Sequence, residues 1–160
     1  MGSNAAMKDQ AVEASMLINH PPGEVFAAFV NPQTLRKFWL SNASGPLAPG
    51  ARVQWQFLVP GAEARVTVTR FEAPRHLAFH WDDAMHVDMT FEPFGAGATH
   101  ASVRVSGFEG ADVLAEASGT VEGFAIVLCD LKTLLETGES ANLVRDKAAL
   151  IVAEQAARGG

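Results

Sequence analysis

Thr120–Gly138 reads TVEGFAIVLCDLKTLLETG. Val121, Phe124, Leu128, Leu131 and Leu135 recur at alternating gaps of three and four, which sets them in one apolar stripe on a helix of about 3.6 residues per turn. Asp112 is the expected N-cap and Gly138 the expected stop, so the helix runs about 25 residues, near 37 Å at 1.5 Å per residue. Gly119 and Gly123 lie within it, each costing ~1 kcal/mol relative to alanine. Close backbone approach or a gap against a neighbouring layer explains why they are kept.

A stripe of this length needs a surface to cover it, and the preceding chain offers one. Val12–Asn19, Ala51–Leu58, Glu63–Glu72, His76–Trp81, Met85–Glu92 and Thr99–Ser106 alternate apolar and polar residues with period two, as half-buried strands do. Proline, glycine and aspartate separate them: His20-Pro21-Pro22, Pro60-Gly61, Ala73-Pro74-Arg75, Asp82-Asp83 and Gly95-Ala96-Gly97. Two short helices follow the first strand. One opens at Pro22 and buries Val25, Phe26, Phe29 and Val30. The other is capped by Asn31, starts at Pro32 and runs to about Leu40 through Leu35, Phe38 and Trp39. Ser41–Gly50 reads as a turn-rich loop. A last hairpin centred on Ala96 sets Asp88 opposite Arg104 and Glu92 opposite His100 on the polar face. A one-residue slip would drive Asp88 and Arg104 into the core, so register and charge agree.

The expected fold is therefore α+β, with a curved six-stranded antiparallel sheet wrapped around one long C-terminal helix. Residues 10–140 form the domain. Leu143–Ala157 is one more amphipathic helix, with Val144, Ala148, Ile151 and Val152 roughly in line and no readable docking site. Residues 1–9 are set apart as a leader, since Gly2-Ser3-Asn4-Ala5 resembles a cloning scar.

With 160 residues, 48% of them apolar, a single domain buries a sizeable core. One cysteine excludes an internal disulfide or a cysteine-cluster metal site and fits a reducing compartment. The net charge of −6 gives no basic footprint for nucleic acid or anionic lipid. No run of ~18 apolar residues is present, and the first thirty residues lack signal-peptide order, so a cytoplasmic protein without membrane contact is expected.

The order of elements and several local motifs resemble the SRPBCC (START, Bet v 1-like) superfamily, and within it the homologues of the activator of the heat-shock protein 90 ATPase. The matching residues are Pro22-Gly23-Glu24-Val25-Phe26, Leu35–Trp39, Gly50-Ala51-Arg52-Val53, Val68–Glu72, Ala73-Pro74-Arg75-His76-Leu77, Phe79-His80-Trp81, Gly123-Phe124, Leu128, Leu131-Lys132 and Leu135–Gly138. The family often carries tryptophan where this chain has Phe124. The resemblance implies a helix-grip fold with a cavity between sheet and long helix, in a superfamily that includes lipid carriers, hormone receptors and aromatase/cyclases.

Trp39, Trp55, Phe57, Phe79, Trp81, Met89, Phe91, Phe124 and Leu128 are expected to line the space between sheet and helix. They form either a solid core or a pocket for a small hydrophobic or aromatic molecule. No paired carboxylates, nucleophile with its base or glycine-rich phosphate loop is present, so neither a catalytic residue nor a cofactor is assigned. His80 and His86 flank Asp82-Asp83, but alternation sends both to solvent and no third metal ligand has suitable spacing. Cys129 is expected as a buried thiol and His20 as a loop residue. A binder of a small hydrophobic molecule is the expected function, with a polyketide cyclase-like enzyme and a chaperone-interacting module as rivals. A homodimer would form through the C-terminal helix or an exposed edge strand.

Overall fold

Period-two alternation becomes seven strands in one antiparallel sheet of order β1-β7-β6-β5-β4-β3-β2. The computed structural model describes residues 10–159, so the leader expected over residues 1–9 lies outside the described residues. The strands are β1 Ala11–Ile18, β2 Leu40–Ala43, β3 Arg52–Phe57, β4 Glu63–Glu72, β5 His76–Trp81, β6 Met85–Phe94 and β7 Ala98–Ser106. The helices are α1 Pro22–Val30, α2 Pro32–Phe38, α3 Val113–Thr137 and α4 Leu143–Gly159.

Six strands stand where the alternation placed them. The seventh, β2, corrects the reading of Ser41–Gly50 as loop throughout and of Leu40 as helix end. Its four residues are too short and irregular to show a period, because a bulge between Leu40 and Asn42 interrupts their pairing with β3. Trp39 leaves helical geometry at φ −137° and lets the chain turn into the strand. At the other hairpin the charge argument holds: Asp88 pairs in register with Arg104 and Glu92 with His100. Asp82 and Asp83 take φ of 57° and 59°, the left-handed pair at the centre of the turn that the Ala84 N–H closes on the Trp81 carbonyl at 3.2 Å.

The two short helices start as their sequences dictate. Pro22 and Pro32 occupy first-turn positions, and the Asn31 side chain accepts the Gln33 N–H at 2.9 Å. They bury Val25, Phe26, Phe29, Leu35 and Phe38 against the sheet. The long helix α3 ends at Gly138 with φ 89°. Its buried face is Phe124, Val127, Leu128, Leu131 and Leu134, with Val121 and Leu135 only half-buried. The stripe predicted from alternating gaps of three and four has period 3.5 and drifts by about 20° per heptad on a 3.6-residue helix, so its two ends turn off the contact face.

Hydrogen bonds from α3 also close the outer edge of β1. Lys132 Nζ donates to the Leu17 carbonyl at 2.8 Å and to Glu136 Oε2 at 2.7 Å. The same carboxylate oxygen accepts the Asn19 backbone N–H at 2.8 Å. An edge strand left open is a template for aggregation, and these two side chains cap its end. The hydrogen bond from Lys132, and next the one from the Asn19 backbone, hold the Glu136 carboxyl below its ordinary value of 4.5. A lowered folded-state value stabilises the protein above the unfolded-state pKa, and the effect is lost as pH falls through the folded one. Glu136→Gln is therefore expected to be less stable than wild type in urea denaturation at pH 7, with the difference shrinking as pH drops below about 4.5. A gap that stays constant down to pH 3 would contradict this.

Candidate functional site

Aromatic side chains that sequence spacing scatters over 86 residues meet at one end of the sheet. Trp39, leaving α2, is the hub: its ring lies 5.0 Å from Trp55, 5.7 Å from Phe124 and 6.3 Å from both Phe57 and Trp81. Trp81 stacks on Phe57 at 5.3 Å. Most other contacts in the group are edge-on, the arrangement that ring quadrupoles favour. The Trp55 indole N–H is buried with no hydrogen-bond partner among the described residues, its ring edge-on to Trp39, Phe79 and Trp81.

Beside this cluster the packing is incomplete. A recess of about 290 Å³ opens between the sheet, α3 and α4. Trp39, Phe57, Trp81 and Val87 form its floor; Gly123, Phe124 and Val127 of α3 form one wall; Val144, Lys147, Ala148 and Ile151 of α4 form the other. Of the nine expected lining residues, Trp39, Phe57, Trp81 and Phe124 border this space. Trp55, Phe79, Met89, Phe91 and Leu128 lie deeper, in the filled core. The glycine argument resolves at Gly123, which lines the recess and has nothing within 4 Å of where a Cβ would stand, so the gap rather than close approach accounts for it.

The wall contributed by α4 was not readable from the sequence. That helix docks because Asp130, 1% exposed in the middle of α3, accepts the Ser140 hydroxyl at 2.6 Å and the Val144 N–H at 3.1 Å. A buried carboxylate thus caps the N-terminus of the next helix, where the helix dipole favours negative charge. A second tie joins Lys147 Nζ to Glu122 Oε1 at 3.0 Å. Acid in a long helix is usually solvated, and only the spacing of Asp130 to Ser140 and Val144 in three dimensions identifies it.

Adjoining this space, a more polar recess of about 580 Å³ lies between the Asp82–Ala84 turn and the first turns of α3, with Asp82, Glu109 and Glu116 on its walls. His80 and His86 face each other across β5 and β6 with ring centroids 5.4 Å apart. Among the described residues no group of three or more His, Cys, Asp or Glu is placed to hold a metal ion. His20 is tied to Glu24 at 2.7 Å, and Cys129 is half-buried on α3. No helix among the described residues is long and apolar enough to cross a membrane.

A curved antiparallel sheet with two short helices after its first strand and a long helix laid along it defines the helix-grip class. Within that class, residues 19–136 match the family described as Activator of Hsp90 ATPase homolog 1-like protein, and the chain belongs to that family. Solved structures share the fold. The protein SSP2350 from Staphylococcus saprophyticus is 27% identical with a TM-score of 0.73, over 82% of this chain and 95% of that one. The Aha1 dimer from Colwellia psychrerythraea is 19% identical with a TM-score of 0.71, over 82% and 99%. DynU16, from the dynemicin biosynthetic locus, is 23% identical with a TM-score of 0.71 over 82% of this chain, which spans 49% of that one. A comparison with curated proteins gives no match.

The two tested glycines should respond in opposite directions. Gly123→Ala gains helix propensity in open space and is expected to raise stability by up to ~1 kcal/mol in urea denaturation. Gly107→Ala should lower it, because its Cβ would stand 2.7 Å from the Ala84 carbonyl oxygen at φ +93°. Destabilisation by Gly123→Ala would mean that the recess is filled.

Proposed function

We propose that the protein is a non-enzymatic binder of a small hydrophobic molecule, held in the recess between sheet, α3 and α4. One observation carries this reading: an open space of about 290 Å³ beside the aromatic cluster is walled by aromatic and aliphatic side chains. Apart from the two indoles, only Thr120 and Lys147 bring polar side-chain atoms to it. Apolar side chains left without packing partners forgo stabilising contacts, which a ligand would restore. General acid–base chemistry would need a titratable group at the reacting atoms. Lys147 is the one such group on the wall and is already paired with Glu122, which is why binding is preferred to a cyclase-like reaction.

The relatives supply the alternative. The family description refers to an activator of a chaperone ATPase, and a protein acting that way through its surface would be indifferent to the recess. Gly123→Leu, which sets a side chain into the open space, separates the two. Binding of an apolar fluorophore such as 1-aminoanthracene should weaken at least tenfold with the fold intact by circular dichroism; undiminished binding would sink the proposal. We also propose a homodimer through α4, supported by the exposure of Leu143 and Leu150, seven residues apart on one side of that helix, and by the dimeric state named for the Colwellia relative. Native mass spectrometry at micromolar concentration should read the mass of two chains, and a single-chain mass would refute it.

A further inference from the structure

The ligand's polarity is written in the two polar side chains of the recess and in what already holds them. Thr120 gives its hydroxyl proton to the Glu116 carbonyl at 2.8 Å, so toward the recess it has only lone pairs to offer. Lys147 spends one of its three ammonium protons on Glu122 Oε1 at 3.0 Å. Its side chain is 31% exposed and borders the recess, and a lysine so placed can lay its apolar stem along apolar surface while its charged head stays near water.

Charge then discriminates in both directions. A cationic ligand would meet the Lys147 ammonium. An anionic one would find the ammonium's charge already matched by Glu122, and it would enter a region whose neighbouring recess carries Asp82 and Glu116. The aromatic floor gives no compensation for a desolvated carboxylate. What fits is a molecule without net charge that accepts a hydrogen bond from the remaining ammonium protons while Glu122 keeps its own. The wall that bears Lys147 lies beyond the family match, which ends at residue 136, since α4 begins at Leu143.

We infer that Lys147 determines specificity: the ligand is an uncharged, mainly aromatic or apolar molecule carrying one hydrogen-bond acceptor, a carbonyl or ether oxygen, that the Lys147 ammonium meets at the rim. This rests on the recess being the binding site. At about 290 Å³ the space falls just short of the ~300–1,000 Å³ usual for small-molecule pockets, so the body is of the size of one or two fused rings.

Three probes with a common body test it: 2-acetylnaphthalene, 2-ethylnaphthalene and 2-naphthoate, titrated calorimetrically into wild type, Lys147→Met and Glu122→Gln. Methionine keeps the apolar stem and removes the donor. The ratio of acetyl to ethyl affinity cancels the contribution of the shared ring body. That ratio is expected to fall about tenfold in Lys147→Met, the size of one hydrogen bond to a charged donor, and to persist in Glu122→Gln, where the donor remains. Wild type should bind the naphthoate more weakly than the ketone. An unchanged ratio in Lys147→Met, its collapse in Glu122→Gln as well, or tightest binding of the naphthoate would overturn the inference while leaving the recess as a site. Failure of 2-ethylnaphthalene to bind wild type would instead remove the recess reading, and this inference with it.

Discussion

The structure depends on one burial requirement: α3 must hide an apolar face, and only a concave sheet can receive it. Phe124, Val127, Leu128 and Leu131 are all buried on that face, at ~1.5–3 kcal/mol for each large side chain. The opposing surface comes from alternate residues of the strands, among them Val66, Phe79, Met89 and Val103. Because strand alternation has period two, each strand offers this face only in one register, so the helix and the sheet fix each other. The hydrogen bonds from Lys132 and Glu136 to the end of β1 then tie the C-terminal half of the helix to the sheet's edge.

Contact is not uniform along the helix. Leu128, Leu131 and Leu134 lie over filled core, whereas at Gly123 the helix has no side chain to extend and the aromatic floor stands clear of it. The chain brings α4 over the gap, docked through the buried carboxylate of Asp130 and the Lys147–Glu122 pair. The functional reading follows from this: an apolar space is left at one end of the seam, and a separate helix walls one side of it.

Much of this was legible in the sequence, for identifiable reasons. Strands such as Arg52–Phe57 carry clean alternation, with Val53 and Trp55 buried and Arg52, Gln54 and Gln56 exposed. The register of β6 with β7 could be read because turn symmetry and the Asp88 and Arg104 charges constrain it independently. Leu40–Ala43 could not, since four bulged residues beside a loop rich in proline and glycine show no period. Spacing drew nine aromatic and aliphatic residues toward the helix, and the structure divides them between recess and filled core. That division depends on where backbone layers separate by a few ångströms, a quantity that side-chain type does not encode. The docking of α4 was hidden for another reason: it rests on one buried acid, and an aspartate in a long helix looks the same in sequence whether it faces water or caps a neighbour.

Family membership fits this division of labour. The match over residues 19–136 covers the sheet from the end of β1 onward and nearly all of α3, while α4 lies beyond it. The central claim is that a dry apolar space exists between Trp39, Trp81, Phe124 and Ala148. The most direct measurement is a crystal structure under xenon pressure, since apolar cavities that exclude water take up xenon. The account predicts xenon density among those four side chains with α4 in place. Side chains or ordered water filling the space, with no xenon bound there, would contradict it.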